Sequence, residues 1–160
     1  VVIYKPVKKL AGTAAILAEQ RSFLGHGVPE DDPNLFCELL LSRTLYQYKS
    51  QNDKQLIIFD RGLPDIIAYA SLFGLELTHY KKCAERNRYN NKVYILEPWK
   101  DIYENDDERK MTFEQALDFH HTLTQVYKSL NYDLCTVPKC SISKRAEFIK
   151  SQLSSCNGAP

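Results

Sequence analysis

The stretch Leu56-Ile57-Ile58-Phe59-Asp60-Arg61-Gly62-Leu63-Pro64-Asp65 constrains this chain more than any other. Four apolar residues run straight into an acid, a base and a glycine. A continuous apolar run of that length suits a strand buried on both faces, as in a parallel sheet. Asp60-Arg61-Gly62 would then stand at the carboxyl end of a central strand, where open α/β sheets bind ligands. Pro64 and Asp65 suit the first turn of a helix beginning there. Proline in that turn forgoes no hydrogen bond, and a carboxylate is favoured by the positive end of the helix dipole.

The remaining chain alternates helical and extended signals. Val1–Tyr4 reads as a short strand stopped by Pro6, and Val7–Phe23 as a helix. A Gly- and Pro-rich loop comes next, residues 25–33. Asn34–Ser50 has apolar residues at helical spacing (Leu35, Phe36, Leu39, Leu40, Tyr48). After the polar turn 51–54, Gln55–Phe59 is the central strand. Helices are expected over Pro64–Phe73, closed by Gly74, and over Leu77–Asn87. Lys92–Leu96 and Leu134–Val137 are further strands. Thr112 and Gln115 have capping-box spacing and open a helix to about Asn131. Ser143 is the expected cap of a last helix, Lys144–Leu153. This order predicts an α/β fold with a mostly parallel sheet.

The bulk numbers restrict the partners. A chain of 160 residues favours one domain, here residues 1–153, with residues 154–160 as a frayed tail. The formal net charge of +1 gives no overall basic excess for a nucleic acid. No apolar run approaches the length of a membrane span, and the N-terminus lacks the apolar core of a signal peptide. Five scattered cysteines without C-x-x-C spacing read as reduced thiols in a cytoplasmic protein. The one methionine is Met111, so the chain is read as a fragment or a processed product.

A few residues have the chemistry for a site. A carboxylate at the end of a strand, Asp60, can hold a metal-bound water or take a proton from a hydroxyl; it could equally cap a helix or pair with Arg61. Arg61 could grip phosphate oxygens with its planar fork of donors, or form a surface ion pair. Arg86 and Arg88 lie two apart before Tyr89. Arg109 lies in the mixed charge run Lys100–Lys110, which reads as a solvated face or as a mobile segment closing over a nucleotide. His26, His79, His120 and His121 lack metal-ligand spacing and read as structural or exposed.

Phe59-Asp60-Arg61-Gly62-Leu63-Pro64-Asp65 with Ala68-Tyr69 resembles the "FDRGxPDxxAY" signature of a family of P-loop AAA-type ATPase or kinase-like domains related to the NadR kinase domain. Ile16–Gln20 is similar to the family's "I-I-x-E-Q". Phe36, Leu39, Leu40, Arg43 and Tyr48 resemble the helix before its central strand, and Arg88-Tyr89-Asn90 its "R-Y" stretch. Glu97-Pro98-Trp99, Ile102-Tyr103 and Asp107-Glu108-Arg109 resemble its "PPWxxIYxxDxER". Asn131–Leu134, Val137-Pro138 and Arg145–Phe148 resemble its last strand and helix.

The resemblance implies a three-layer α/β/α nucleoside-kinase-like domain that uses ATP and Mg²⁺ on an unidentified small-molecule acceptor. Asp60 would lie at the metal and the acceptor, Arg61 beside the phosphates, and Arg109 in a lid. Arg86, Arg88 and the loop with Pro138, Lys139 and Ser141 would be nucleotide-binding, the loop beside the base. One family element is missing: no G-x-x-x-x-G-K-[ST] occurs in these residues. Gly12-Thr13 is the nearest glycine–hydroxyl pair, and the family's glutamate and arginine are replaced by Ala11 and Ala14. The resemblance therefore implies that the first strand, its phosphate loop and its helix are absent, with Val1–Tyr4 matching the second strand. Backbone amides and the lysine of that loop normally cradle phosphates. ATP binding by this chain should be weak. The rival expectations are a non-catalytic interaction module on the same fold and a plain structural α/β domain.

Overall fold

The computed structural model describes residues 13–51, 57–104 and 111–156. It contains six α-helices and two strands among those residues. In order they are α1 (Thr13–Ser22), α2 (Pro33–Lys49), α3 (Leu63–Leu72), α4 (Thr78–Arg86), β1 (Lys92–Ile95), a 3₁₀ turn (Lys100–Ile102), α5 (Phe113–Ser129), β2 (Asp133–Thr136) and α6 (Ile142–Cys156). The strands pair in parallel, with Lys92 opposite Asp133 and Ile95 opposite Thr136. The fold is a helix-rich α/β arrangement with a small parallel sheet.

Local chemistry sets the helix starts. Asp32 caps α2 by accepting from the Leu35 amide at 2.9 Å, with Pro33 in the first turn. Thr112 and Gln115 close the expected capping box: the Thr112 amide donates to Gln115 Oε1 at 2.8 Å, and the Gln115 amide to Thr112 Oγ1 at 3.2 Å. Helix α3 stops where Gly74 takes φ of +66°, a conformation that glycine adopts without penalty.

Three expectations are corrected here. Ile57–Phe59 forms no strand with the described residues; these residues are half-buried and lie outside the β1–β2 ladder. Phe59 instead packs its ring on Tyr89 and Tyr48, at centroid distances of 4.9 and 6.2 Å. The last helix opens at Ile142, so Ser143 lies inside it and Ser141 precedes it. Its far end continues to Cys156, beyond Leu153, into the expected tail. The expectations for Val1–Tyr4, residues 7–12 of the first helix, residues 55–56 and Arg109 lie outside the described residues.

The element buried on most sides is α3. Leu63, Pro64, Ile66, Ile67, Ala68 and Ala70 are all buried, as an α-helix that is apolar nearly all round must be. It packs against α2, α4 and α5. Phe36 from α2 is fully buried and meets the rings of Tyr69 and Phe73 edge-on, at 6.2 and 6.4 Å. A second, smaller apolar cluster joins Tyr94 and Val137, from the sheet side, to Ile149 of α6.

Charged and polar residues tie α1 to α2 and to the loop between them. Arg43 of α2 reaches both carboxylate oxygens of Glu19, at 2.6 and 2.7 Å. The buried Gln20 accepts from the Gly27 amide through Oε1 at 3.0 Å. A Cβ at Gly27 would stand 2.5 Å from Leu39 Cδ1, so a larger residue there would have to push the Leu39 side chain aside.

Candidate functional site

The turn that leads into α3 is built from reciprocal hydrogen bonds. The Gly62 amide donates to Asp65 Oδ2 at 2.8 Å, and the Asp65 amide donates back to the Gly62 carbonyl at 3.1 Å. Gly62, not Asp60, is therefore the residue at the helix cap. Asp65 is only 6% exposed, and its Oδ2 also accepts from the Tyr127 hydroxyl at 2.7 Å. Burial, and then the Asp65 charge, push the Tyr127 phenol far up, so it stays a donor.

Arg61 sits at φ of +71°, in the left-handed region. For a residue with a Cβ that costs about 1–2 kcal/mol, so the surroundings must hold it there. Its Nη1 donates to the Tyr69 hydroxyl at 2.8 Å, and its guanidinium carbon lies 5.8 Å from the Tyr69 ring centre. Burial works against the Arg61 charge, but Tyr69, Asp65 and Asp60 outweigh it and raise the pKa. Burial also raises the Tyr69 pKa, with Arg61 opposing; Thr13 of α1 bonds to the same hydroxyl. Asp60 is exposed beside this pair.

An aromatic wall backs the turn. A Cβ on Gly62 would lie 2.9 Å from Tyr89 Cε2, so the Tyr89 ring leaves room for glycine alone. The Leu63 amide donates to the Tyr89 hydroxyl at 3.2 Å, and the Tyr89 amide to the Tyr132 hydroxyl at 3.2 Å. Arg88 lies over the Tyr132 ring at 4.3 Å and donates through Nη1 to the Leu130 carbonyl at 2.7 Å. Its own carbonyl accepts from the Tyr48 hydroxyl at 2.7 Å. That arginine is thus engaged at the carboxyl end of α5, where a cation is favoured.

The other expected site residues form a separate group. Lys139 Nζ stands 3.6 Å from Glu97 Oε2. These residues come after β2 and β1, and neighbouring parallel strands end on the same side of a sheet. Pro138 and Ser141 flank Lys139 on the exposed loop, and Arg86 is exposed at the end of α4. The Asp60–Gly62 turn packs on Tyr89, which precedes β1, whereas Lys139 meets Glu97, which lies beyond it. The described hydrogen bonds, ion pairs and ring contacts within each group do not join the two. Sequence spacing does not single out Asp65, Tyr69, Tyr127 or Tyr132 as site residues. Asp65 and Tyr127 are 62 positions apart, and no periodic signal links them.

His120 of α5 belongs with the second group. Burial holds it below the usual histidine range; Glu97 opposes this, and Lys139 and His121 reinforce it. Folding therefore disfavours its protonation. Its contribution to stability is present above the unfolded value of about 6.5 and is lost as pH falls from there toward the lower folded value. Urea midpoints should fall less in His120→Gln than in the wild type between about pH 7.5 and about pH 5.5. Equal falls in both proteins would contradict this.

The described residues hold no group of three or more His, Cys, Asp or Glu side chains placed to bind a metal. None of their helices is long and apolar enough to cross a membrane. What the geometry defines is a helix-rich α/β domain with a parallel strand pair and an acid–base turn braced by tyrosines. The family model described as an AAA domain matches residues 11–145, and the chain belongs to that family. This carries a P-loop NTPase-like, nucleotide-binding character, and complete members use ATP and Mg²⁺. No curated protein and no solved structure matches the chain.

Proposed function

We propose that this chain is a nucleotide-binding domain of the NadR-kinase-like kind, in which Asp60 and Arg61 form the metal- and phosphate-facing edge. The observation that carries the reading is Arg61, held in a left-handed conformation with its cation beside the exposed Asp60. Strained backbone of this sort persists where surrounding structure over-determines it, and it gathers at ligand sites. Asp60 offers the hard oxygen donor that Mg²⁺ prefers. Arg61 offers a cation for phosphate oxygens.

The fit to Mg·ATP is partial. The sequence contains no G-x-x-x-x-G-K-[ST], so the amide cradle and lysine for the terminal phosphates are lacking in these residues. Arg109 would act from its charged segment as a lid, and Arg86, Arg88, Pro138, Lys139 and Ser141 would contact the nucleotide. Arg88 would do so only by leaving Tyr132 and the Leu130 carbonyl. The proposed frame is a three-layer α/β/α kinase-like domain in the cytoplasm whose family reaction would be on a small-molecule acceptor. Without the cradle the chain is inactive.

Calorimetric titration with Mg·ATP should give millimolar affinity or weaker. Micromolar affinity would overturn this account of the missing cradle. The second reading, a non-catalytic interaction module, is favoured by the same missing motif. It predicts no effect of Mg·ATP at Asp60 or Arg61.

A further inference from the structure

Asp65 does more than begin a helix. Its Oδ2 receives two donors, the Gly62 amide at 2.8 Å and the Tyr127 hydroxyl at 2.7 Å. It is 6% exposed, so water does not stand in for either. The Gly62 amide belongs to the peptide that Arg61 contributes, so fixing that amide fixes the orientation of the residue before it. Arg61 is the residue at φ of +71°. Two turns along α3, Tyr69 takes the other end of the Arg61 side chain at 2.8 Å. Tyr127 comes from α5, which packs on α3. The position of α5 is thereby coupled to the direction in which Arg61 points.

We infer that Asp65 is a positioning residue for the Arg61 guanidinium, with Tyr127 bracing Asp65 from α5 and Tyr69 receiving the guanidinium. The functional meaning rests on the reading that Arg61 faces phosphate, but the mechanical claim does not. Removing Asp65 releases the 61–62 peptide, and removing the Tyr127 hydroxyl loosens the carboxylate that holds it; in either case Arg61 samples orientations away from Tyr69 and Asp60. An asparagine at position 65 keeps an acceptor oxygen for the Gly62 amide, so it preserves the arrangement better than alanine.

The test is NMR on the whole chain without ligand. Two signals are tracked: exchange of the Gly62 amide, and order of the Arg61 Nε–Hε group by heteronuclear relaxation. Tyr127→Phe should speed Gly62 exchange by about tenfold and disorder the Arg61 group, and Asp65→Asn should restore more of both than Asp65→Ala. Leu40→Val, a core change that alters none of these hydrogen bonds, serves as the stability control and should leave Arg61 ordered. If Asp65→Ala fails to fold, Tyr127→Phe decides the matter alone. An Arg61 group equally ordered in Tyr127→Phe and wild type would overturn the inference, as would equal loss of order in Leu40→Val. A second arm adds Mg·ATP. If Arg61→Ala leaves the Mg·ATP-induced shifts unchanged, the phosphate reading fails while the positioning claim stands on its own signals.

Discussion

Phe36→Ala should destabilise the fold by about 3–5 kcal/mol, measured by urea denaturation. Phe36 is fully buried and meets the Tyr69 and Phe73 rings edge-on. Truncation forfeits the transfer energy of the ring and leaves a cavity between α2 and α3. Collapse into it is resisted on both sides. Tyr69 is held by Arg61 and Thr13, and α2 is held to α1 by Arg43 and Glu19. Phe36→Leu should recover much of the loss, because the volume is partly kept. A cost below about 1 kcal/mol for the alanine variant would show that the helical core is looser than described.

Asp65→Ala should cost roughly 3 kcal/mol or more, because it strands two donors at once. The Tyr127 hydroxyl lies in the interior, and the Gly62 amide has no other partner among the described residues. Tyr127→Phe removes one donor and leaves the carboxylate its bond to Gly62, so it should cost about 1–2 kcal/mol. The double variant should fall short of the sum, as expected for residues in one network. Strict additivity in a double-mutant cycle would mean that the 2.7 Å contact contributes nothing to stability.

Elements with a local code are legible in the sequence. The Thr112–Gln115 capping box, the helix start beside Pro64 and Asp65, and the glycine stop at Gly74 are each set by chemistry within a few residues. Both strands of the parallel pair are anticipated by short apolar runs, with ends off by a residue or so. Ile57–Phe59 has the same kind of run and forms no strand with the described residues. A strand needs a partner, and the apolar character of a run does not say whether a neighbouring backbone or a pair of tyrosine rings will cover it. Ser141 and Ser143 both offer a hydroxyl near the start of α6, so spacing alone does not separate them.

The site divides in the same way. Asp60 and Arg61 stand out because they interrupt an apolar run. Tyr69 falls within the signature stretch but its role does not show there, and nothing local marks Tyr127 or Tyr132, since a tyrosine reads as core whether or not its hydroxyl is engaged. What joins them is tertiary contact across tens of residues. Arg88 shows the converse: an arginine beside a tyrosine suggests a phosphate contact, yet its guanidinium stacks on Tyr132 and caps the carbonyl of Leu130. An arginine's plane and charge serve either purpose, and only its neighbours decide. The residues matching the family signature prove densely wired to one another. Glu19 bonds with Arg43, Asp65 with Gly62, and Arg61 with Tyr69. Part of what the signature records is therefore the turn's architecture.

The Asp60–Gly62 turn, as proposed, is the phosphate-facing edge of a nucleotide domain whose cradle these residues lack. The most direct test is an amide NMR titration of the chain with Mg·ATP, compared with Mg²⁺ alone and with adenosine. The expected result is a set of shifts at residues 60–62 that grow without saturating below millimolar Mg·ATP, that adenosine does not reproduce, and that vanish in Arg61→Ala. Mg·ATP shifts that leave residues 60–62 untouched would contradict the proposal, as would saturation at micromolar concentration.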